Sequence, residues 1–116
     1  MYIIWSPGGC ILTKLEMSAR AAEVASLLRA LNHPARLMIV CTLVEGERSV
    51  GALEDDIGVH QPTLSQQLTV LRNAGIVQTR RDAKQIFYRL SEDRVARLIE
   101  ALYRIFCAEA QTGEKE

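Results

Sequence analysis

The chain has 116 residues, 48% of them apolar but only 5% aromatic, and its 14 acidic side chains balance 14 basic ones to a formal net charge of zero. That length suits one domain, the aliphatic composition favours a helical core over a β-sandwich, and zero net charge is not the footprint of a uniformly basic nucleic-acid binder. Three cysteines, Cys10, Cys41 and Cys107, are too few and too odd in number for a secreted disulfide scaffold. No apolar run reaches the roughly 18 residues of a membrane helix, and MYIIWSPGGCIL lacks a basic n-region, so the protein is expected in the cytoplasm.

Residues 1–17 match nothing downstream in pattern and read as an arm, with Met17 an alternative start. The domain proper is expected over 18–110, followed by a polar tail, 111–116. Ser18 predicts the N-cap of a first helix in which Val24, Leu27, Leu28 and Leu31 recur at i, i+3, i+4 and i+7. Asn32 and His33 break it. Pro34 opens a second helix with Leu37, Val40, Cys41 and Val44 on its apolar stripe, ended by Gly46. Ser49 caps a short third helix, with Val50, Leu53 and Ile57 inward and Gly58 as terminator.

The next segment, VHQPTLSQQLTVLRNAG, has two unlike faces. Pro62 suits a first helical turn and Gly75 the position past the end. Leu64, Leu68 and Leu71 form the apolar stripe, while Thr63, Ser65, Gln66, Gln67 and Thr69 are short, uncharged hydrogen-bonding groups. Such a face suits base edges in a DNA major groove. A short helix, a turn with glycine and a second helix of this kind make a helix-turn-helix.

Thereafter the period falls to two. Ile76, Val77 and Thr79, then Ile86, Tyr88 and Leu90, predict two strands joined by the charged tip RRDAK, a wing able to lie along phosphate. Ser91 caps a last helix with Glu92 and Asp93 in its first turn, where negative charge suits the dipole. Its Val95, Leu98, Ile99, Leu102, Ile105 and Phe106 cover more than one stripe. The predicted fold class is therefore mainly α with a small β-hairpin wing: a winged helix-turn-helix of four helices, a hairpin and a fifth helix, the last apolar enough to pack on a partner copy as well as on its own domain. Charge is distributed to match. Gln61 to Leu90 holds five basic residues, Arg72, Arg80, Arg81, Lys84 and Arg89, against Asp82.

LNHPARLMIV and SVGALEDDIGVHQPTLSQQLTVLRNAGIVQTRRDAKQIFYRL carry a resemblance to the ArsR family of bacterial repressors, over about Ala21 to Cys107. The resemblance implies a homodimer built through the first and last helices that binds a palindromic DNA operator, represses transcription, and releases the operator on a signal. Many members sense metals through a Cys-x-Cys pair on the third helix or Asp and His on the last. Here the third helix reads VGALEDDIG and the last has no histidine, so no metal ligand and no cofactor is assigned.

Cys41 within VCTLVEGE and Cys107 within ALYRIFC resemble the cysteine positions of the family's sulfide- and redox-responsive members. That implies a redox switch in which reactive sulfur species, persulfide or polysulfide, link the two thiols and free the operator. Taken singly, a cysteine on an apolar stripe is a small hydrophobe, and Cys10, in the arm, is given no role. Arg104 favours a Cys107 thiolate, whereas the carbonyls at a helix C-terminus oppose one.

The residues assigned to base contact are Gln61, Thr63, Ser65 and Gln66, and to phosphate Arg80, Arg81 and Lys84. Arg72 and Arg89 serve either phosphate or an internal ion pair. Three function classes follow: a thiol-switched repressor, a metal-responsive repressor, and a thiol enzyme or interaction module on the same scaffold. The enzyme is disfavoured because neither a CxxC pair nor a Cys beside a His occurs.

Overall fold

Thr13, not Ser18, starts the first long helix. Its side chain accepts from the Glu16 backbone N–H while Glu16 reaches back to the Thr13 N–H, a complete capping box. In the computed structural model, which describes residues 3–5 and 12–108, the chain order is β1 (Ile3–Trp5), β2 (Leu12–Thr13), α1 (Lys14–Leu31), α2 (Pro34–Leu43), β3 (Arg48–Ser49), α3 (Val50–Ile57), α4 (Thr63–Asn73), β4 (Val77–Asp82), β5 (Gln85–Leu90) and α5 (Asp93–Tyr103), closed by a π-helical turn, Arg104–Ala108. Cys10 and the tail fall outside the described residues. β1 and β2 pair antiparallel ahead of α1. Among the described residues no helix is long and apolar enough to cross a membrane.

Helix ends follow local chemistry. His33, extended at φ −167°, caps α2 by accepting the Ala35 N–H on Nδ1, and Ser49 caps α3 through Ala52. Gly58 ends α3 at φ 72° and Gly75 follows α4 at φ 79°. The Gly75 N–H reaches the Arg72 carbonyl and the Ile76 N–H the Leu71 carbonyl, the crossed pair of a Schellman motif. Two expectations are corrected here. Pro62 sits at the N-cap of α4 rather than within its first turn. Ser91 does not cap α5: its backbone N–H donates to the Ile76 carbonyl, and the N-cap is Glu92.

The core lies where α2, α3, α4 and α5 meet the sheet. Ile39, Val40, Leu53, Leu64, Leu68 and Leu71 are fully buried, with Ile76, Val77, Val95 and Ile99 against them. The hairpin is in register from Val77↔Leu90 to Asp82↔Gln85, and β3 adds to its other side through Arg48↔Tyr88, giving the order β3-β5-β4. On α1 the predicted stripe divides. Leu31 is buried, but Val24 and Leu28 are exposed, as are Leu15, Ile105 and Phe106. Two central residues, Ala83 and Lys84, turn the wing, and Ala83 holds φ 58°, where glycine is favoured. Ala83→Gly is expected to relieve a left-handed cost of about 1–2 kcal/mol, offset in part by glycine's larger unfolded-state entropy, for a net gain of roughly 0.5 kcal/mol in urea unfolding.

Candidate DNA-reading face and thiol cleft

Burial of Leu64, Leu68 and Leu71 turns the opposite side of α4 outward, so Gln61, Thr63, Ser65 and Gln66 are all exposed. They are not equivalent. The Gln61 side-chain carbonyl accepts from both the Ser65 backbone N–H at 3.0 Å and the Ser65 hydroxyl at 2.6 Å. Gln61 therefore caps α4 from outside the helix and leaves its amide donors to face outward. Thr69 returns its hydroxyl to the Ser65 carbonyl. Gln67, expected on the polar face, is half-buried and accepts from Arg36 at 2.7 Å. Arg36, which also donates to the Ala30 carbonyl, thus fixes α4 to α1 and α2. Nothing local marked it, since Gln67 lies 31 residues away.

Gln61 and Ser65 share a cleft of about 380 Å³ with Lys84 of the wing, floored by Ser49, Gly51 and Tyr88. The structure thus brings the N-terminal end of α4 and the wing tip together. Arg81 and Lys84 are exposed. Arg80 is placed differently: it forks onto Glu47 with contacts of 2.8–3.0 Å, lies 3.6 Å from Asp82, and stacks 4.6 Å over the Phe87 ring. The pairing holds the Glu47 carboxyl below its ordinary range and raises the Arg80 guanidinium, the mutual hydrogen bonds being the main cause. Arg80 ties the wing to the loop after α2.

Cys41 is exposed rather than buried on its stripe. It opens into a second cleft of about 380 Å³, walled by Val44, Ile99 and Tyr103 with Arg104 and two carboxylates, Glu45 and Glu100. Desolvation by these walls pushes the Cys41 thiol up, and the nearby charge of Cys107 adds to the shift. Cys107 is exposed in the π-helical turn. The histidines have other partners: His33 caps α2, and His60 Nδ1 lies 3.0 Å from Glu54. Among the described residues no three His, Cys, Asp or Glu side chains cluster to hold a metal.

Residues 33–79 match the family described as bacterial regulatory protein, arsR family. The biofilm growth-associated repressor of Xylella fastidiosa is 65% identical over 98 residues, 84% of this chain and 86% of that protein. The protein of the same name from Agrobacterium fabrum is 71% identical over 92 residues, 79% of each chain. The crystal structure of the transcriptional repressor BigR from Xylella fastidiosa superposes with a TM-score of 0.77 at 66% identity, covering 83% of this chain and 98% of that one. Reduced HlyU from Vibrio cholerae gives 0.75 at 41% identity, covering 79% and 97%. With its helix-turn-helix, its wing and relatives at this level of identity, the chain belongs to the arsR family of bacterial regulatory proteins, a DNA-binding regulator of transcription and not an enzyme.

Proposed function

We propose that the chain is a homodimeric repressor, working in the cytoplasm, that holds a palindromic operator while its thiols are free and releases it when Cys41 and Cys107 are joined through sulfur. The observation that carries this reading is the cleft that sets Cys41 against Tyr103 at the end of α5 and Arg104 of the π-helical turn that holds Cys107, with Cys107 near enough to influence its charge. The exposed apolar residues of α1 and of the π-helical turn are what a second copy would cover. A metal-responsive reading would draw on His33 and His60, and both have other partners.

The chemistry balances without an external electron acceptor. Each thiol takes a sulfane sulfur from a low-molecular-weight persulfide, which leaves as its thiol, so that both cysteines become persulfides. One terminal sulfur then attacks the other cysteine's persulfide, a trisulfide bridge forms, and the displaced sulfur leaves as hydrogen sulfide. A bridge of three sulfurs spans more than the roughly 7 Å Cα separation that a disulfide permits.

In this reading Thr63, Ser65, Gln66 and the outward amide of Gln61 meet bases, Arg81 and Lys84 meet phosphate, and Arg80 positions the wing. Lys84→Ala is expected to flatten the log–log dependence of operator affinity on salt by about one unit for each Lys84 that neutralises a phosphate; an unchanged slope would remove Lys84 from the interface. The reading as a whole is tested on DNA selected by the reduced protein from a random pool. Polysulfide should abolish binding with a sulfur-linked gain in intact mass. Release by zinc alone would overturn the switch, and failure to select any DNA would overturn the repressor.

A further inference from the structure

Cys41 also borders a third cleft, distinct from the one above, whose other walls are Thr42, Glu45, Arg48, Asp56 and Tyr103. Arg48 stands at its centre of charge. Its guanidinium donates to the Glu47 carbonyl at 3.1 Å, lies 3.4 Å from Glu45 just past α2, and 3.6 Å from Asp56 near the end of α3. Its backbone pairs with Tyr88 in the sheet. One half-buried side chain therefore touches the loop behind the cysteine-bearing helix and the first helix of the helix-turn-helix, beside Tyr103 of α5. The adjacent Glu47 grips the wing through Arg80.

We infer that Arg48 is the positioning residue that transmits a Cys41–Cys107 link to the reading helix, by surrendering Asp56 when the last helix is drawn across this cleft. The inference rests on the thiol-switch reading above. Tyr103 stands immediately before the π-helical turn that carries Cys107, so a bridge that pulls Cys107 towards Cys41 carries Tyr103 towards Arg48. Asp56 stands two residues before Gly58, the left-handed residue from which the chain turns towards α4. Freed from Arg48, α3 changes its angle to α4, and in a dimer a small change there misaligns two reading helices against fixed half-sites. Arg48 is half-buried but its carboxylate partners are exposed, so these ion pairs add little to folding stability, and their removal separates coupling from folding.

The test uses wild type, Arg48→Ala, Arg48→Lys and Asp56→Asn, each measured for operator affinity before and after polysulfide treatment, with intact mass reporting the link and thermal melting reporting the fold. In wild type the link should lower affinity steeply. In Arg48→Ala and Asp56→Asn the link should form equally, reduced-form affinity should stay within about threefold of wild type, and the linked form should keep DNA about tenfold better than linked wild type. Arg48→Lys, retaining the charge, should recover part of the release. Linked variants that let go of DNA as completely as wild type would overturn the inference. So would lowered reduced-form affinity with an unchanged ratio, the mark of a merely structural residue. Asp56→Asn decides the matter if Arg48→Ala fails to fold. A wild type that links without releasing DNA, or never links, instead overturns the switch itself and this inference with it.

Discussion

Cys107→Ser is expected to leave a repressor that polysulfide no longer removes from its operator. Serine puts a slightly smaller and more polar hydroxyl where an exposed thiol stood, so stability should change by no more than about 0.5 kcal/mol, and reduced-form DNA binding should match wild type. What is lost is the second sulfur of the bridge. Cys41→Ser should behave alike: Cys41 is exposed at the cleft, and its side chain opens on the last helix. Couplings between a ligand and a regulatory site commonly amount to 1–3 kcal/mol, about 5–150-fold in affinity. Wild type should therefore lose at least about fivefold on linking, and either serine variant essentially nothing. Fluorescence anisotropy with labelled operator, run beside intact mass spectrometry, reads both quantities. Cys10→Ser is the informative control and should release DNA as wild type does. Release of Cys107→Ser at the wild-type polysulfide dose would show that the bridge is not the signal.

The elements set by neighbours in sequence were legible, and those set by distant partners were not. The stripe of Leu64, Leu68 and Leu71 and the Gly75 terminator lie within one helix, and the structure has them as the pattern predicts. The true start of α1 was also available locally, because Thr13 and Glu16 have capping-box spacing; Ser18 has N-cap chemistry too, but it lies inside α1, which begins at Lys14. Ser91 shows tertiary override. As a cap it has the right side chain, yet its N–H is held by the carbonyl of Ile76, just ahead of β4. Strand β3 is two residues long and exists only through β5, which no local pattern announces. Arg80 reads as free wing charge until Glu47, 33 residues earlier, is seen beneath it. The α1 stripe illustrates a further ambiguity: periodicity says that Val24 and Leu28 are on an apolar face, but not whether that face meets the chain's own core.

The two faces of α4 should separate stability from recognition. Leu68 is 1% exposed and touches the centre of the core. Leu68→Ala removes buried methyl groups and leaves a cavity, at a cost of about 2–5 kcal/mol, a large part of the 5–15 kcal/mol that holds an ordinary domain together. Urea unfolding at one fixed protein concentration should show the loss, since the apparent stability of the proposed dimer would vary with concentration. A loss below about 1 kcal/mol would mean that the surrounding helices collapse into the gap. Gln66 points the other way. It is exposed, so Gln66→Ala should unfold within about 0.5 kcal/mol of wild type. If its amide pairs with an adenine edge, operator affinity should fall by about 1–3 kcal/mol for each half-site, with binding to unrelated DNA almost untouched. Equal losses on both DNAs would make Gln66 a positioning contact to the backbone. The opposite outcomes expected for residues two positions apart follow from the helical turn, which sends Leu68 into the core and Gln66 out to the surface.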